Sequence, residues 1–309
     1  MIEFDVQLSR DRVPVIYHDF FLHAKLGHRV LHATMMSKMG LHDLTLAQLN
    51  QVEWRHCSQP NPSRLRSLLR KHWLSILALA QPPPPSFVSP MQALCDAFPT
   101  LRLAFDHVPL HVGFNIEIKY PADNSTRHLT ALPSFEVLSF SLKLAQIFKV
   151  QLNAYVDAIL DVVMAFGRSR HVVFSCFAPD VCVLLRAKQS TYRVYFLTCG
   201  VDVEHLVWDT RCIALNHAVA FSQVEQLHGI VTNSDPLLDK PALIPAIKNN
   251  TQLDVFTWGD HNTSHAHVQR QKKHGVDGVI SDNIGDLTLR DGKPRPREVG
   301  SMADDTGRL

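Results

Sequence analysis

Residues 2–19 read IEFDVQLSRDRVPVIYHD. Apolar and polar residues alternate over 2–6, which is typical of a β-strand with two different faces. Glu3 and Asp5 therefore project from one face, and two carboxylates on one face repel each other unless a cation lies between them. Residues 13–17 are also strand-like, and because the connection is too short for a parallel crossover, we expect this segment to return as a hairpin.

A second segment, residues 113–121, reads GFNIEIKYP. The same alternation places Asn115, Glu117 and Lys119 on one face of a strand. Catalytic groups of a (β/α)₈ barrel lie at the carboxyl ends of its strands, and three oxygen ligands with room for water suit Mg²⁺ or Ca²⁺. Spacing alone leaves open an alternative, in which these are surface acids on an edge strand and an ordinary Glu-x-Lys pair.

Short apolar or alternating runs recur along the chain, and segments with helical spacing follow most of them, which predicts an α/β fold with a parallel sheet. Clear helical candidates cover 153–166 and 179–187. We predict one (β/α)₈ TIM-barrel domain over 1–290. A closed barrel needs eight strands, so we expect its first strand and helix to be missing, with the strand placed before Met1. The apolar or alternating runs that we interpret as parallel strands are 2–6, 114–119, 171–176, 193–197, 229–232, 254–258 and 277–281.

Two stretches differ from the rest of the chain. Residues 60–92 include four consecutive prolines, which favour polyproline II and cannot form a helix interior or a central strand. Residues 122–151 have no clear place on the barrel. Both are interpreted as atypical insertions at the surface or as translated sequence that an authentic transcript would remove, and the polar tail 291–309 is predicted to be disordered.

The composition narrows the function classes. The 31 Lys and Arg residues nearly balance the 29 Asp and Glu residues, and no basic block tracks a phosphate backbone, so we expect no nucleic-acid partner. Neither a signal peptide nor a transmembrane segment is expected, and a G-x-x-x-x-G-K-[ST] loop is absent from the sequence. The six cysteines form no C-x-x-C pair, which predicts reduced thiols and a cytoplasmic protein.

The two opening segments resemble the glycerophosphodiester phosphodiesterase family. Its signature is an E-x-D strand, a T/S-x-D turn, a strand ending in His-Asp and a later E-x-K strand. Further similarities follow in family order, and the wording is most similar to the eukaryotic intracellular branch that acts on glycerophosphocholine. The further similarities are VVFSCF at 172–177, VYFLT at 194–198, DVFTWG at 254–259 and HGVDGVISD at 274–282.

The resemblance implies a set of site residues. The family holds a divalent metal with the acids that match Glu3, Asp5 and Glu117, and the lysine that matches Lys119 contacts the phosphate. His18 matches one of two catalytic histidines, and such a pair can accept one proton while donating another.

Trp258 matches an aromatic residue that borders the family's substrate pocket, although it could equally be a core aromatic. The family's other histidine lies in an H-R-G motif before E-x-D, followed by E-N-T, and neither motif occurs here. His28 and Arg29 follow the E-x-D strand and lack the glycine, so we do not expect them to substitute. The departure predicts impaired turnover with retained metal binding.

The resemblance therefore implies metal-dependent hydrolysis of small glycerophosphodiesters, such as glycerophosphocholine, to glycerol 3-phosphate and an alcohol. The alternative is a non-catalytic domain that retains the barrel for binding in phosphate signalling. His261, His265 and His267 suggest a zinc site, but without a fourth ligand we interpret them as a solvated turn.

Overall fold

The computed structural model describes residues 1–24, 37–50, 98–121, 151–200 and 209–282. The predicted insertion at 60–92, the stretch 122–150 of the second insertion, the tail 291–309 and His28 lie outside the described residues. The predicted domain limits of 1–290 stay a prediction.

A single sheet of eight strands organises the chain, in the order β10-β9-β8-β7-β6-β5-β1-β2. All neighbours from β10 to β1 pair in parallel, and β2 pairs antiparallel with β1, so the predicted parallel sheet and the predicted hairpin are both confirmed. A separate antiparallel pair, β3 and β4, lies outside this sheet. The strands are β1 (Ile2–Leu8), β2 (Pro14–Ile16), β3 (Phe21–Ala24), β4 (Ser37–Gly40), β5 (Phe114–Ile118), β6 (Val172–Cys176), β7 (Arg193–Thr198), β8 (Gly229–Asn233), β9 (Asp254–Trp258) and β10 (Gly278–Val279).

The sheet is curled, and its two faces bury different sets of residues. On the inner face Val173, Tyr195, Leu197 and Val231 form one buried cluster, against which Trp258 and other aromatic residues pack. Residues at the alternate positions of the same strands point outward into the helical layer. Because side chains alternate along a strand, one apolar sequence serves both the inside of the barrel and the helices around it.

Helices follow most of the parallel strands, as the spacing predicts. The helix expected at 153–166 spans Leu152–Phe166, and its predicted apolar stripe from Tyr155 to Val163 is buried. The helix expected at 179–187 spans Pro179–Lys188, with proline in its first turn. The helices are α1 (Leu46–Leu49), α2 (Leu101–His107), α3 (Leu152–Phe166), α4 (Pro179–Lys188), α5 (Thr210–Ile213), α6 (Leu215–Val224), α7 (Asp235–Asp239), α8 (Leu243–Asn250) and α9 (His265–Lys273), with 3₁₀ turns at Leu41–Asp43 and Asp260–Thr263.

A smaller cluster anchors the segment that follows β2. Val15 and Leu22 pack with Leu41 and Phe98 in an apolar cluster apart from the barrel. The amide of Ile16 also donates to the carbonyl of Pro99 at 2.8 Å. The loop between β2 and β3, which contains His18, is therefore fixed at both of its ends.

Two further properties concern the described residues alone. None of their helices is both long and apolar enough to cross a membrane. Cys176, Cys182, Cys199 and Cys212 are buried free thiols.

Candidate active site

Strands β1 and β5 bring the acidic residues of the two opening segments together. Their parallel register pairs Glu3 with Asn115 and Asp5 with Glu117. Because paired residues of a sheet project from the same face, the carboxylates converge, and one oxygen from each of Glu3, Asp5 and Glu117 lies within 4.8 Å of the others. The structure thus unites the three acids that the sequence singled out.

Lys119 is the cation of this cluster. Its Nζ lies 3.3 Å from Asp5 Oδ1 and 2.6 Å from Glu117 Oε1, and all three side chains are mostly buried. Burial alone would lower the pKa of Lys119, but the carboxylates of Glu117 and Asp5 outweigh it and raise this pKa above its ordinary value. Lys119 therefore remains charged while it holds two of the three acids.

The charge of the cluster is incompletely balanced. Burial raises the pKa of Glu3 well above its ordinary value, and the neighbouring carboxylates of Asp5 and Glu117 raise it further. Burial also raises the pKa of Glu117, although Lys119 opposes this shift. With all three acids ionised, Lys119 would leave two negative charges in the cluster. The raised pKa of Glu3 means that this charged state is costly without a cation, and a divalent cation would neutralise it.

Asp282, an exposed residue after β10, makes a small electrostatic contribution to the site that the sequence analysis did not select. Its carboxylate lies close enough to Glu3 to raise the pKa of Glu3 further. The HGVDGVISD segment belongs to the family resemblance, but nothing in a linear sequence relates its last residue to Glu3.

Two buried polar side chains next to the carboxylates support the view that the cluster fits a metal. Both amide atoms of Asn115 and the hydroxyl of Ser175 are buried and have no hydrogen-bond partner in the described part of the chain. Asn115 pairs with Glu3 across the sheet, and Ser175 pairs with Glu117. Such groups can orient metal-binding carboxylates, and the oxygen ligands themselves suit a hard divalent cation such as Mg²⁺ or Ca²⁺.

His18 lies on the loop after β2, beside the acidic cluster rather than in contact with it. Its Nδ1 is 2.8 Å from Asp19 Oδ1, and its side chain is 68% exposed. The ring is nevertheless near enough to Glu117 that its charge would lower the pKa of that acid. The geometry leaves the imidazole accessible to a molecule bound at the carboxylates.

Two buried residues that the sequence analysis missed tie the site elements together. Gln7 Nε2 donates to the carbonyls of Tyr17 at 2.8 Å and of Asp19 at 3.0 Å. The hydroxyl of Tyr155 donates to the carbonyl of Lys119 at 2.7 Å and accepts from the amide of Leu8 at 3.2 Å. The period-two pattern of β1 places Gln7 on the same strand face as the acids, so the sequence could have indicated its role. The sequence around Tyr155 indicates only that this residue belongs to the buried stripe of a helix.

Trp258 lies on the inner face of the barrel, near the ends of the strands. Its Nε1 donates to the carbonyl of Thr198 at 3.1 Å, and its ring packs edge to face against Phe177 at 5.9 Å between centroids. The Nζ of Lys119 lies 5.9 Å from the centroid of Phe177. Trp258 is half-buried, so it combines packing against the inner cluster with an accessible surface beside Phe177, the ring that lies next to Lys119.

The histidines of the 260s are separate from this cluster. His261 Nε2 lies 3.7 Å from Asp235 Oδ1, and its ring contacts that of His267 at 5.2 Å, whereas His265 contacts Gln269. Among the described residues, Glu3, Asp5 and Glu117 are the group with metal-ligand spacing. The zinc alternative therefore has no geometric support in that part of the chain.

The chain is similar to known proteins over most of its length. The glycerophosphoryl diester phosphodiesterase family model matches residues 1–286. A glycerophosphocholine phosphodiesterase of Schizosaccharomyces pombe is 31% identical over 293 residues, which cover 92% of this chain and 24% of the relative. One from Mus musculus is 30% identical over 288 residues, covering 92% of this chain and 38% of the relative.

The fold is also found among solved structures. A phosphodiesterase from Oleispira antarctica, in complex with the product sn-glycerol-3-phosphate, superposes with a TM-score of 0.53 at 16% identity, over 92% of this chain and 82% of that one. This likeness confirms the barrel-type α/β fold. The chain spans 24% and 38% of the two curated relatives, so the family assignment rests on the shared domain. The chain belongs to the glycerophosphoryl diester phosphodiesterase family.

Proposed function

We propose that this chain hydrolyses glycerophosphodiesters, with glycerophosphocholine as substrate, to sn-glycerol 3-phosphate and choline, with turnover impaired because its sequence has no match to the family's H-R-G histidine. The observation that carries the proposal is the convergence of Glu3, Asp5 and Glu117 around Lys119 on the inner face of the barrel. The names of the two curated relatives and the product bound to the Oleispira antarctica enzyme support this choice of substrate.

Each residue has a defined task in this proposal. Glu3, Asp5 and Glu117 would hold Mg²⁺ or Ca²⁺, which when bound supplies Lewis-acid polarisation of the phosphoryl group. Lys119 contacts the phosphate oxygens, and its charge is secured by the acids beside it. With all three acids ionised, two negative charges remain when Lys119 is counted, and a bound divalent metal would offset their repulsion of a phosphodiester monoanion.

His18 moves the proton. Imidazole titrates near neutrality and can exchange a proton with the attacking or the leaving oxygen. The exposed ring and its bond to the Asp19 carboxylate leave the other ring nitrogen available. Trp258 and Phe177 border the phosphate site as an apolar wall that limits the access of water.

The test is release of sn-glycerol 3-phosphate from glycerophosphocholine by the purified chain, with Mg²⁺, with Ca²⁺ and with chelator. Glu117→Ala should lower turnover by more than about a hundredfold, since loss of a direct ligand exceeds the effect of losing an outer-shell partner. The control is Asp157→Ala, which removes a half-exposed carboxylate of α3 that pairs with Lys188 of α4 outside the acidic cluster, and it should leave turnover unchanged.

Calorimetric titration with each metal, together with the turnover assay, distinguishes an enzyme from a non-catalytic binding domain. Turnover that depends on metal and on Glu117 supports the enzyme. Metal binding by the unmodified chain, without any release of sn-glycerol 3-phosphate, would overturn the proposal in favour of a non-catalytic binding domain. The metal that supports turnover identifies the cofactor.

We also propose a cytoplasmic location. Cys176, Cys182, Cys199 and Cys212 are free and packed as small apolar side chains, which suits a reducing compartment. Fractionation of cells that express a tagged chain tests this proposal, and recovery from an oxidising compartment would contradict it.

A further inference from the structure

We propose that Gln7 is a positioning residue, which holds the loop of His18 at the place where the imidazole can reach a substrate bound at the acidic cluster. The inference rests on the proposed function, in which His18 moves a proton.

The contacts of Gln7 converge on the backbone around His18. Its Nε2 donates to the carbonyl of Tyr17 at 2.8 Å and to that of Asp19 at 3.0 Å, on either side of His18. The carbonyl of His18 itself lies 3.4 Å from the same atom. A primary amide has two N–H groups, so the two shorter contacts use its full donor capacity.

The same strand carries the acids and this amide. Gln7 follows Glu3 and Asp5 at alternate positions of β1, so all three project from one face of the strand. The carbonyl of Asp5 also accepts a bond from the amide of Tyr17 at 3.0 Å. Contacts from β1 therefore fix the middle of the His18 loop relative to the acidic cluster, in addition to the contacts that hold its two ends.

The His18 ring depends on this backbone support. Its side chain is 68% exposed, and its hydrogen bond to Asp19 connects it to a residue of the same loop. Packing thus contributes little to the position of the ring, whereas Gln7 is only 2% exposed and firmly held. Because a misplacement of about 1 Å can cost about a hundredfold in rate, the amide of Gln7 should matter for catalysis.

The first experiment is a double-mutant cycle with Gln7→Met and His18→Ala, measured on glycerophosphocholine with Mg²⁺. Methionine approximates the shape of glutamine and cannot donate. We expect Gln7→Met to lower kcat by about 10- to 100-fold, with KM and Mg²⁺ affinity essentially unchanged. In the His18→Ala background, Gln7→Met should cause no further loss, because both changes act through one group.

Gln189→Met is the matched control. Gln189 is also buried, and its side chain bonds the backbone of Tyr192 through both of its polar atoms, at 2.8 and 2.7 Å, just before β7 at the other end of the barrel. This variant loses similar hydrogen bonds away from the site and should keep kcat. Gln7→Asn, which retains the amide on a shorter side chain, provides a milder second variant and should lose part of kcat.

A second readout does not require turnover. Hydrogen exchange at the Tyr17 amide should accelerate in Gln7→Met and Gln7→Asn and not in Gln189→Met. Unchanged exchange, or an equal loss of kcat from Gln7→Met with and without His18, would overturn the inference alone. If the unmodified chain releases no product, the proposed function itself fails and this inference fails with it. If the chain is active and His18→Ala leaves kcat intact, the hydrolysis stands but the role of His18, and with it this inference, is overturned.

Discussion

Glu3 carries the least compensated charge in the site. Lys119 makes its ion pairs with Asp5 and Glu117, whereas Glu3 is buried beside two carboxylates and within the field of Asp282. Because these neighbours and burial raise the pKa of Glu3, the metal-free folded chain must take up a proton at Glu3 or tolerate the repulsion, and either costs folding stability above the ordinary pKa of the acid. The site therefore exchanges stability for the capacity to bind a divalent cation.

The first prediction concerns this residue. Glu3→Gln should raise the free energy of unfolding of the metal-free chain by about 1 kcal/mol, since a neutral amide of the same shape removes the repulsion. The same variant should lose most of its Mg²⁺ affinity. Denaturant unfolding in chelator and calorimetric titration check the two effects, with Glu225→Gln, a change outside the acidic cluster, as control. A less stable metal-free variant would contradict the electrostatic interpretation.

At the scale of elements, the ends of β1 and β5 are held together by a helix. Direct pairing of the two strands runs from Ile2 with Phe114 to Val6 with Ile118. Beyond that point the hydroxyl of Tyr155, from α3, bridges the amide of Leu8 and the carbonyl of Lys119. A side chain thus replaces a rung of the ladder where the strands diverge.

The second prediction tests this bridge. Tyr155→Phe keeps the ring and leaves two buried backbone groups without their partner, so it should lower the free energy of unfolding by about 1–3 kcal/mol. Because the bridge ends on the backbone of Lys119, KM for glycerophosphocholine should also rise. Tyr192→Phe, a buried tyrosine at the other end of the barrel, is the control. Equal effects of the two variants on KM would argue against a local role.

The opposite end of β5 depends on a buried cation. Arg170 is 4% exposed and donates to the carbonyls of Val108 at 2.7 Å, of Pro109 at 2.8 Å and of Val112. Its guanidinium also lies 4.2 Å from the centroid of the Phe114 ring. One side chain therefore fixes the loop that leads into the strand of Glu117 and Lys119.

The third prediction follows from these contacts. Arg170→Met should lower the free energy of unfolding by about 3 kcal/mol, because three carbonyls lose their donor at once. Mg²⁺ affinity of the folded fraction should be unchanged, since the acids lie toward the other end of the strand. Chemical denaturation and metal titration at low temperature check the pair of outcomes, and Arg170→Lys should be intermediate. A selective loss of metal affinity would show that the loop acts on the site.

On the scale of the whole molecule, the acidic residues in and near the site come from different parts of the sheet. Glu3 and Asp5 belong to β1, Glu117 to β5, and Asp282 follows β10 at the far end of the strand order. In the described residues, β10 and β2 form the two ends of the sheet and are not paired with each other. A cation at the cluster would relieve repulsion between segments that the sheet order separates.

The fourth prediction concerns thermal stability. A ligand that binds only the folded state at a hundred times its dissociation constant stabilises it by about 2.7 kcal/mol. For a chain of 309 residues, Mg²⁺ should then raise Tm by about 4 °C. Glu117→Gln should abolish the shift, whereas Asp157→Asn should retain it. Scanning calorimetry with metal and with chelator measures both, and a shift that survives Glu117→Gln would place the metal elsewhere.

Local patterns in the sequence predict several elements of this fold and the strand faces that carry the acids. Period-two alternation assigned Glu3 and Asp5 to one strand face and Glu117 and Lys119 to another, because side-chain direction along a strand follows from backbone geometry alone. The order of apolar runs gave the parallel sheet, and the stripe of Tyr155 predicted α3. These features are local, so neighbouring residues suffice to specify them.

Which of these residues contact each other depends on the tertiary structure. The register of β1 on β5 set Asp5 against Glu117, and the fold brought Tyr155 to Leu8, 147 positions earlier in the chain. Gln7 reached the His18 loop and Asp282 approached Glu3 for the same reason. Such contacts depend on the packing of whole elements around one core, and a linear pattern fixes the direction of a side chain but not the residue that it will face.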